Sequence, residues 1–340
     1  MGAEDLRTPT RQQLRRSTPM LDHSELLVVG ECVADIVRQP DQEDRVHPGG
    51  SPANVAYGLA RLGRRATLLT QLGPDPNGRL IRDHLASAGV TVRTDGAAAP
   101  TPSAVVTLDG AGQASYAFDI AWTLAPVTVE PAPGHVHTGS IGAVVEPGSA
   151  TVLDIVRGAR ATATVSYDPN VRPALMGDHA AAVARVEACV ALSDLVKASD
   201  EDLAWLYPGE EPEKVAARWL EGGPAVVLVT RGGDGALAVL PGGRITVEAA
   251  PVEVVDTVGA GDAFMSGTLH ALAAHGLLGA GARERLHVVD RDTVTDVLRH
   301  AVASAAVTVS RAGANPPDAA ELREALARDG VQGAPGGARP

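Results

Sequence analysis

The sequence predicts an α/β fold, in which helices flank a doubly wound, mostly parallel β-sheet and a small β-sheet forms a lid. Short runs of aliphatic residues alternate with helical patterns along most of the 340 residues. Strands that alternate with helices are joined by crossovers, and such connections produce a parallel sheet. Two hairpin patterns, at about 35–48 and 103–119, interrupt the alternation. Because antiparallel hairpins do not fit that rhythm, we assign both to the lid sheet.

The N-terminal third begins with a strand and a hairpin. The run LLVVG predicts a buried strand from Leu26, and the polar segment RQPDQEDRVHPGG predicts a short hairpin. PGGSPANVAYGLARLG then predicts a glycine turn and a helix of small residues over 53–62. A strand in ATLLTQLG and an amphipathic helix in RLIRDHLASAG follow. The alternating runs SAVVTLD and ASYAFDI, separated by GAGQ, predict the second hairpin.

The middle of the chain returns to alternating strands and helices. The predicted strands are HVHTGS, TATVSYDPN, DLVKAS and AVVLVT, and the last of them leads into a hairpin with ALAVLPGGRITVEA. The predicted helices between them are EPGSATVLDIVRGARA, HAAAVARVEACVAL, EDLAWLYP and KVAARWLEGG.

The C-terminal part is predicted to be mainly helical. PVEVVD alternates like a strand, and AFMSGTLHALAAH is apolar nearly all round, which is typical of a buried helix. GLLGAGARERLHVVDRD is expected to be a loop, and two further helices lie in VTDVLRHAVASAAVTVSRAG and ANPPDAAELREALARD. Residues 1–22 and 331–340 lack periodicity, so we expect disordered tails on either side of a domain over 23–330.

Charge and cysteine content exclude several functional classes. The net charge of −12 argues against non-specific nucleic-acid binding and against an anionic membrane surface. Cys32 and Cys189 are too few for a disulfide framework or a cysteine zinc site, which fits a cytoplasmic protein in a reducing environment. No apolar run reaches the roughly 18 residues that a membrane span needs. We therefore expect small-molecule ligands.

The segment DTVGAGDAF combines a glycine turn, a helix start and an acid. Gly259 and Gly261 allow the backbone to approach a ligand, and the first N–H groups of the helix lack intrahelical partners. With the positive end of the helix dipole, they predict a site for an anion such as a phosphate. Asp262 is either a favourable partner of that dipole or a base that acts on a phosphate acceptor.

Two more polar residues lie near predicted strand ends or glycine turns. Asp35 follows the first strand, where parallel α/β sheets bind ligands, although a solvated loop acid fits the same pattern. Asn54 is either a local helix cap or a hydrogen-bond partner of a ligand hydroxyl.

Taken together, the segments PGGSPANVAYGLARLG and VVDTVGAGDAFMSGTL resemble the two signatures of the PfkB, or ribokinase-like, carbohydrate kinases. The segments between and after them are most similar to those of bacterial fructokinases: GSIGAVVEP, SYDPNVRPALM, VKASDEDLAWL, VTRGGDGALAV and VSRAGANPP. The resemblance covers about residues 25–328 and implies a ribokinase-like fold.

The resemblance implies roles for individual residues. Asp262 matches the catalytic base, and the backbone N–H groups of Gly259, Ala260 and Gly261 match an anion hole for the transferred phosphoryl group. The positions that correspond to sugar-binding or active-site residues are Asp35, Gly49, Gly50, Asn54, Asn170 and Arg172. The positions on the nucleotide side are Ser199, Thr230, Gly232 and Gly235.

Two acids match metal positions of the family. Asp202 stands where many relatives have the Glu of an N-x-x-E motif, which orders water around Mg²⁺, and Ser199 replaces its Asn. Asp256, with carbonyls near Gly313, resembles a monovalent-cation site that holds K⁺ in several relatives.

The implied activity is transfer of the γ-phosphoryl group of ATP to a free sugar, with D-fructose the leading substrate. Kinases for 2-keto-3-deoxygluconate, ribose or a nucleoside are alternatives within the family. A catalytically inactive regulator is a remote alternative, because Asp262, Gly259 and Gly261 are all present. The lid forms a dimer contact in some relatives, so a homodimer is left open.

Overall fold

A nine-stranded sheet forms the centre of a computed structural model that describes residues 25–39, 42–97, 99–108 and 114–332. Within these residues the strands are β1 (Leu26–Val29), β2 (Val33–Arg38), β3 (Arg45–Gly49), β4 (Ala66–Thr70), β5 (Thr91–Thr94), β6 (Ser103–Leu108), β7 (Ala114–Asp119), β8 (His135–Gly139), β9 (Thr164–Asp168), β10 (Leu195–Ser199), β11 (Val226–Thr230), β12 (Ala236–Leu240) and β13 (Gly243–Val247).

The central sheet has the doubly wound order β13-β12-β11-β10-β9-β8-β1-β4-β5. All pairs from β11 to β5 are parallel, whereas the β12-β13 hairpin adds to one edge in antiparallel fashion. This arrangement confirms the predicted fold class. The sequence did not predict β5, because this four-residue edge strand is partly exposed and lacks an aliphatic run.

The two predicted hairpins form a single four-stranded sheet of order β3-β2-β6-β7. Both hairpins are antiparallel, and β2 pairs with β6 in parallel. Asp35 was expected just beyond β1, at the start of the first hairpin, and it lies within β2. The chain therefore leaves the central sheet after Val29 and carries this acid on the small sheet.

The helices cover both faces of the central sheet. They are α1 (Ser51–Arg61), α2 (Pro76–Ser87), α3 (Gly148–Ala159), α4 (His179–Leu192), α5 (Asp200–Leu206), α6 (Pro212–Glu221), α7 (Ala260–Ala274), α8 (Arg283–His287), α9 (Arg291–Val309) and α10 (Ala319–Gln332). One aliphatic core includes residues of α1, α7 and α9, and a second includes residues of α4, α5 and α6.

Two local predictions near the C-terminus are wrong. Residues 251–256 form no strand, because their valines project into a cavity or solvent and Asp256 is tied to the loop after α9. The expected loop after α7 contains α8, where the Arg283 side chain bonds to Asp194 over 2.6 Å. This ion pair fixes a segment whose sequence has little apolar periodicity.

The predicted tails lie almost wholly beyond the described residues. Helix α10 continues through Gln332, two residues into the expected C-terminal tail, while 1–22 and 333–340 are not described. In the part of the chain that is described, no helix is long and apolar enough to cross a membrane. Cys32 and Cys189 are free and buried.

Candidate active site

A cavity of about 1060 Å³ lies where the carboxyl ends of the parallel strands face the start of α7 and the small sheet. Ligands of open α/β sheets bind at this edge. Most residues that the sequence assigned to a site line the cavity: Asp35, Gly50, Asn54, Asn170, Arg172, Ser199, Asp202, Thr230, Gly232, Gly235, Gly259, Ala260, Gly261 and Asp262. Gly49 and Asp256 do not line it.

The turn before α7 depends on Gly259. This residue caps the helix in the left-handed region at φ 76°, and a Cβ here would lie 2.6 Å from the Cβ of Ala314. The N–H groups of Gly259 and Gly261 make no hydrogen bond to any described residue, so both are open to a ligand. The Ala260 N–H instead donates to the Thr257 carbonyl over 3.2 Å. Its role as a third anion-hole donor stays a prediction.

Asp262 lies in the first turn of α7 and is held by two side chains from α1. The Ser51 hydroxyl donates to Oδ1 over 2.6 Å, and the Asn54 amide donates to Oδ2 over 2.8 Å. With 7 % of its surface exposed, the carboxylate is buried yet faces the cavity. Each oxygen therefore has a fixed direction, as a positioned proton acceptor requires.

These bonds refine one sequence prediction and add a residue. Asn54 was expected to contact a ligand hydroxyl, and one N–H of its Nδ2 in fact donates to Asp262, which leaves the second N–H and the amide oxygen to meet a ligand. Ser51 was not predicted as a site residue. It lies 211 positions before its partner, so local sequence gave no signal of the contact.

A polar group of residues surrounds the part of the cavity near the small sheet. Gly49 packs against Asp35 so closely that a Cβ on it would lie 2.1 Å from Oδ2. Burial raises the pKa of Asp35, although His47 and Arg172 oppose the shift. The Arg172 guanidinium donates to the side chain of Asn170 over 2.8 Å. Gly49 thus gives Asp35 room rather than touching the cavity itself.

The backbone around this region is strained at two positions. Among the described non-glycine residues, only Ser140 and Asn170 have positive φ, at 52° and 35°, and both line the cavity. Backbone strain of this kind persists where the surrounding structure enforces it, often at functional sites.

Glu31 is a buried acid in the cavity wall that the sequence did not assign to the site. Its Oε2 accepts the Gly142 N–H over 2.8 Å. Burial raises the pKa of Glu31 to about 7, although hydrogen bonds from its own backbone, Ser140 and Gly142 lower it. The only signal in the sequence was its position directly after the first buried strand.

The opposite end of the cavity is less polar. Thr230 ends β11, and the turn over Gly232–Asp234 follows, before Gly235 at φ 83°. Two valines of the run that resembled a strand in the sequence, Val252 and Val254, line the cavity here, as does Val258. An apolar wall beside a glycine turn suits the flat base of a nucleotide.

Asp202 and Ser199 form a capping box at the start of α5. The Ser199 hydroxyl accepts the Asp202 N–H over 3.0 Å, and Oδ2 of Asp202 accepts the Ser199 N–H over 2.8 Å. The other oxygen accepts the Val171 N–H over 2.7 Å. Both oxygens are thus engaged with the backbone, although each keeps a lone pair for a water molecule on a metal. The metal role of Asp202 stays a prediction.

Asp256 joins two loops next to the turn before α7. Its oxygens accept the N–H groups of Val258 over 3.1 Å and Gly313 over 2.8 Å. Both bonds lower the pKa of Asp256, and the bond from Val258 has the larger effect. The expected proximity to Gly313 is present, and cation binding here stays a prediction. The described residues include no cluster of three or more His, Cys, Asp or Glu side chains suited to a metal ion.

A buried ion pair lies beneath the same turn. The Lys197 ammonium, on β10, bonds to Oδ2 of Asp168, at the end of β9, over 2.8 Å. Their side chains are 4 % and 0 % exposed. Burial raises the pKa of Asp168 to about 6, and Lys197 opposes the shift. Neither residue was predicted as part of the site.

Comparison with known proteins gives a consistent result. The pfkB family carbohydrate kinase model matches residues 23–321. A fructokinase of Klebsiella pneumoniae is 38 % identical over 268 residues, which cover 75 % of this chain and 86 % of that protein. The crystal structure of a fructokinase from Xylella fastidiosa with bound ATP has a TM-score of 0.80 and 28 % identity, and the alignment covers 90 % of this chain and 99 % of that one.

A third relative carries a bound sugar. A double mutant of the fructokinase from Vibrio cholerae O395, in a form with fructose, ADP and potassium ion, has a TM-score of 0.75 and 26 % identity. The alignment covers 89 % of this chain and 98 % of that one.

Proposed function

The chain belongs to the pfkB family of carbohydrate kinases and is an ATP-dependent sugar kinase, and we propose that its acceptor is D-fructose. The observation that carries this proposal is the environment of Asp262. A carboxylate held by Ser51 and Asn54 stands beside a turn with free N–H groups. A proton acceptor and an anion-binding turn are the two elements that phosphoryl transfer to an alcohol needs.

In the proposed reaction, Asp262 takes the proton of the attacking hydroxyl as its oxygen approaches the γ-phosphorus of ATP. The new O–P bond forms as the bond from the γ-phosphorus to the β,γ-bridging oxygen breaks, and ADP leaves with that electron pair. The N–H groups of Gly259 and Gly261 hold the equatorial oxygens while charge is redistributed. Mg²⁺ that enters with ATP would neutralise phosphate charge, and Asp202 would order the water around it.

The charges around the acceptor end favour a free sugar. Asp35 and Asp262 face this region, whereas the only basic residues among the described lining residues are Arg172 and Lys197, and Lys197 is already paired with Asp168. A phosphorylated sugar would have to overcome this negative field. Fructose is chosen because the Klebsiella relative is a fructokinase and the Vibrio structure holds fructose. The latter also contains potassium ion, so we propose that Asp256 and the adjoining loop respond to K⁺.

We propose that the small sheet closes over bound sugar. Its strands are mostly half-exposed, and Phe118 on β7 faces the cavity with 44 % of its surface exposed. Closure would exclude water that could otherwise accept the phosphoryl group. Saturating fructose should slow hydrogen exchange in β2, β3, β6 and β7. Unchanged exchange in all four strands would contradict closure.

The activity test measures ADP formation from ATP and Mg²⁺ with fructose, ribose, 2-keto-3-deoxygluconate, adenosine and fructose 6-phosphate. We expect the highest kcat/KM for fructose. Asp262→Asn should lower kcat by about a thousandfold, because a positioned base contributes 10²- to 10⁴-fold. The matched control is Asp154→Asn, which alters an exposed acid on α3 and should leave kcat unchanged.

The outcomes separate the parts of the proposal. A higher kcat/KM for another sugar would overturn the fructose assignment and leave the kinase reaction in place. An Asp262→Asn variant with kcat within tenfold of wild type would overturn the role of the base. Wild-type protein that transfers phosphate to none of the acceptors would contradict the proposed substrate class.

A further inference from the structure

The ion pair between Lys197 and Asp168 is poorly explained by stability. Both side chains are almost wholly removed from solvent. Removing two ions from water costs several kcal/mol per ion, and the mutual attraction often fails to offset that cost. Well-packed apolar residues could fill the same space with similar stability. The pair therefore points to a role in the cavity that it borders.

Lys197 reaches the turn that is proposed to hold the phosphoryl group. Its Nζ lies 3.0 Å from the position that a Cβ on Gly261 would occupy, and its side chain lines the cavity. An ammonium group has three N–H donors. One donates to Asp168, and among the described residues no second acceptor takes a hydrogen bond from it. Two donors remain for an anion at this turn.

The charges nearby make this cation necessary for an anionic ligand. Asp168, Asp202 and Asp262 all act on Lys197, and together they raise the pKa of its ammonium despite the opposing effect of burial. Lys197 therefore stays charged at neutral pH. Among the described residues that line the cavity, Lys197 and Arg172 are the only basic ones. Without Lys197, the carboxylates would repel a phosphoryl group at the turn. The backbone N–H dipoles would then be the main favourable interaction to offset that repulsion.

We propose that Lys197 is a catalytic residue that contacts the transferred phosphoryl group, and that Asp168 is the positioning residue that holds its ammonium toward Gly261. The inference rests on the proposed kinase reaction. As the acceptor oxygen bonds to the γ-phosphorus and the β,γ-bridging oxygen takes the electron pair of the broken bond, Lys197 donates to a phosphoryl oxygen. The acceptor proton still passes to Asp262, and Lys197 keeps its own protons.

Asp168 suits the positioning role because its two oxygens have different partners. Oδ2 accepts from Lys197, and Oδ1 accepts the Asn170 N–H over 3.2 Å. The same carboxylate thus joins the ammonium to the strained loop that carries Asn170 and Arg172. A shift of Asp168 would disturb the ammonium without removing its charge.

The first test is Lys197→Met with the sugar that gives wild-type protein its highest kcat/KM. We expect kcat to fall by about a hundredfold or more, as when one donor to a developing oxyanion is removed, while the Kd of the sugar stays within threefold. Because Lys197→Met leaves Asp168 unpaired, Lys197→Met/Asp168→Asn is measured alongside to remove the buried charge. The double variant should fold and remain equally slow. Asp168→Asn alone should lower kcat less than Lys197→Met and move the pH profile of kcat.

The decisive readout restores the ammonium chemically. Lys197→Cys is treated with bromoethylamine, which rebuilds an ammonium on a side chain of nearly the same length. Position 197 lines the cavity and can be reached by the reagent, whereas Cys32 and Cys189 do not line it and burial raises their pKa to about 12, so the native thiols should not react. The control adduct, made with iodoacetamide, has similar bulk but no charge. We expect at least a tenfold recovery of kcat with the charged adduct only.

The results separate this inference from the proposed function. If wild-type protein is active and Lys197→Met keeps a kcat within threefold of wild type, the proposed role of Lys197 is wrong. The kinase reaction would then remain in place. Equal recovery with the charged and neutral adducts would show that Lys197 only fills space, which also overturns the inference. Wild-type protein without transfer to any sugar would overturn both.

Discussion

The two walls of the cavity differ in rigidity. On one wall, Asp262 and Lys197 stand on elements of the central core, and each has hydrogen-bond partners of fixed geometry. On the other wall, the small sheet presents half-exposed strands and the exposed ring of Phe118. The groups that we propose to react are therefore held in place on the core, whereas the small sheet, which we propose to close over the acceptor, is less buried. Substitutions on the core wall should therefore change kcat, and those on the small sheet should change sugar binding.

Apart from the variants of Asp262 and Lys197 described above, the largest effect is expected for Gly259→Ala on the core wall. The new Cβ would lie 2.6 Å from Ala314 at a residue with φ 76°, so the turn must shift and its N–H donors with it. We expect kcat to fall by about a hundredfold or more in steady-state assays. Gly63→Ala is the matched control, because Gly63 has φ 80° with open space around it. If Gly259→Ala had the same kcat as Gly63→Ala, the turn at Gly259 would not determine kcat.

The second prediction concerns Glu31, which attaches the first strand to the turn at Gly142. Its pKa of about 7 lies above the usual value of 4.5, so folding favours the protonated acid. The protonated acid contributes its full stabilisation below about pH 4.5, and this contribution is lost as the pH rises through 7. The free energy of unfolding falls by about 3 kcal/mol over this range. Denaturant unfolding from pH 4.5 to 8 should show this loss in wild-type protein and a smaller one in Glu31→Gln. If the free energy of unfolding of wild-type protein and of Glu31→Gln changed with pH in the same way, the raised pKa of Glu31 would be refuted.

The third prediction tests how Asp262 is held. Ser51→Ala removes a hydrogen bond of 2.6 Å, and the freed carboxylate should sample directions that do not face the acceptor. We expect kcat to fall by about tenfold with little change in the KM of ATP. Ser304→Ala is a suitable control, since its buried hydroxyl has no partner among the described residues. Equal kcat values for the two variants would mean that Ser51 does not orient the base.

The smallest effect is expected on the small sheet. Phe118→Ala removes a ring that should become buried when the sheet closes over sugar, which weakens binding rather than transfer. We expect the KM of fructose to rise by about fivefold and kcat to change by less than about twofold. The comparable exposed residue Leu80, on α2, provides the control. If Phe118→Ala lowered kcat without changing the KM of fructose, Phe118 would act on phosphoryl transfer, like the residues of the core wall, rather than on sugar binding.

The sequence predicted the central sheet, both hairpins and a set of site residues most of which line the cavity, because those features depend on short-range patterns. Alternation of apolar runs identifies strands and helices, and glycines identify the turns. The contacts of Ser51 and of the Lys197–Asp168 pair were not predictable in this way, since each joins residues distant in the chain. The strand predicted around Val254 is wrong because an apolar cavity wall and a strand share the same alternation.

The most direct test of the central claim is a crystal structure of this chain with fructose and a non-hydrolysable ATP analogue. We expect one fructose hydroxyl to lie within about 3.2 Å of the Asp262 carboxylate. We also expect the terminal phosphate to lie at the N–H groups of Gly259 and Gly261, in line with that hydroxyl. A fructose hydroxyl directed to the phosphate but bonded to another base, with Asp262 out of reach, would contradict it.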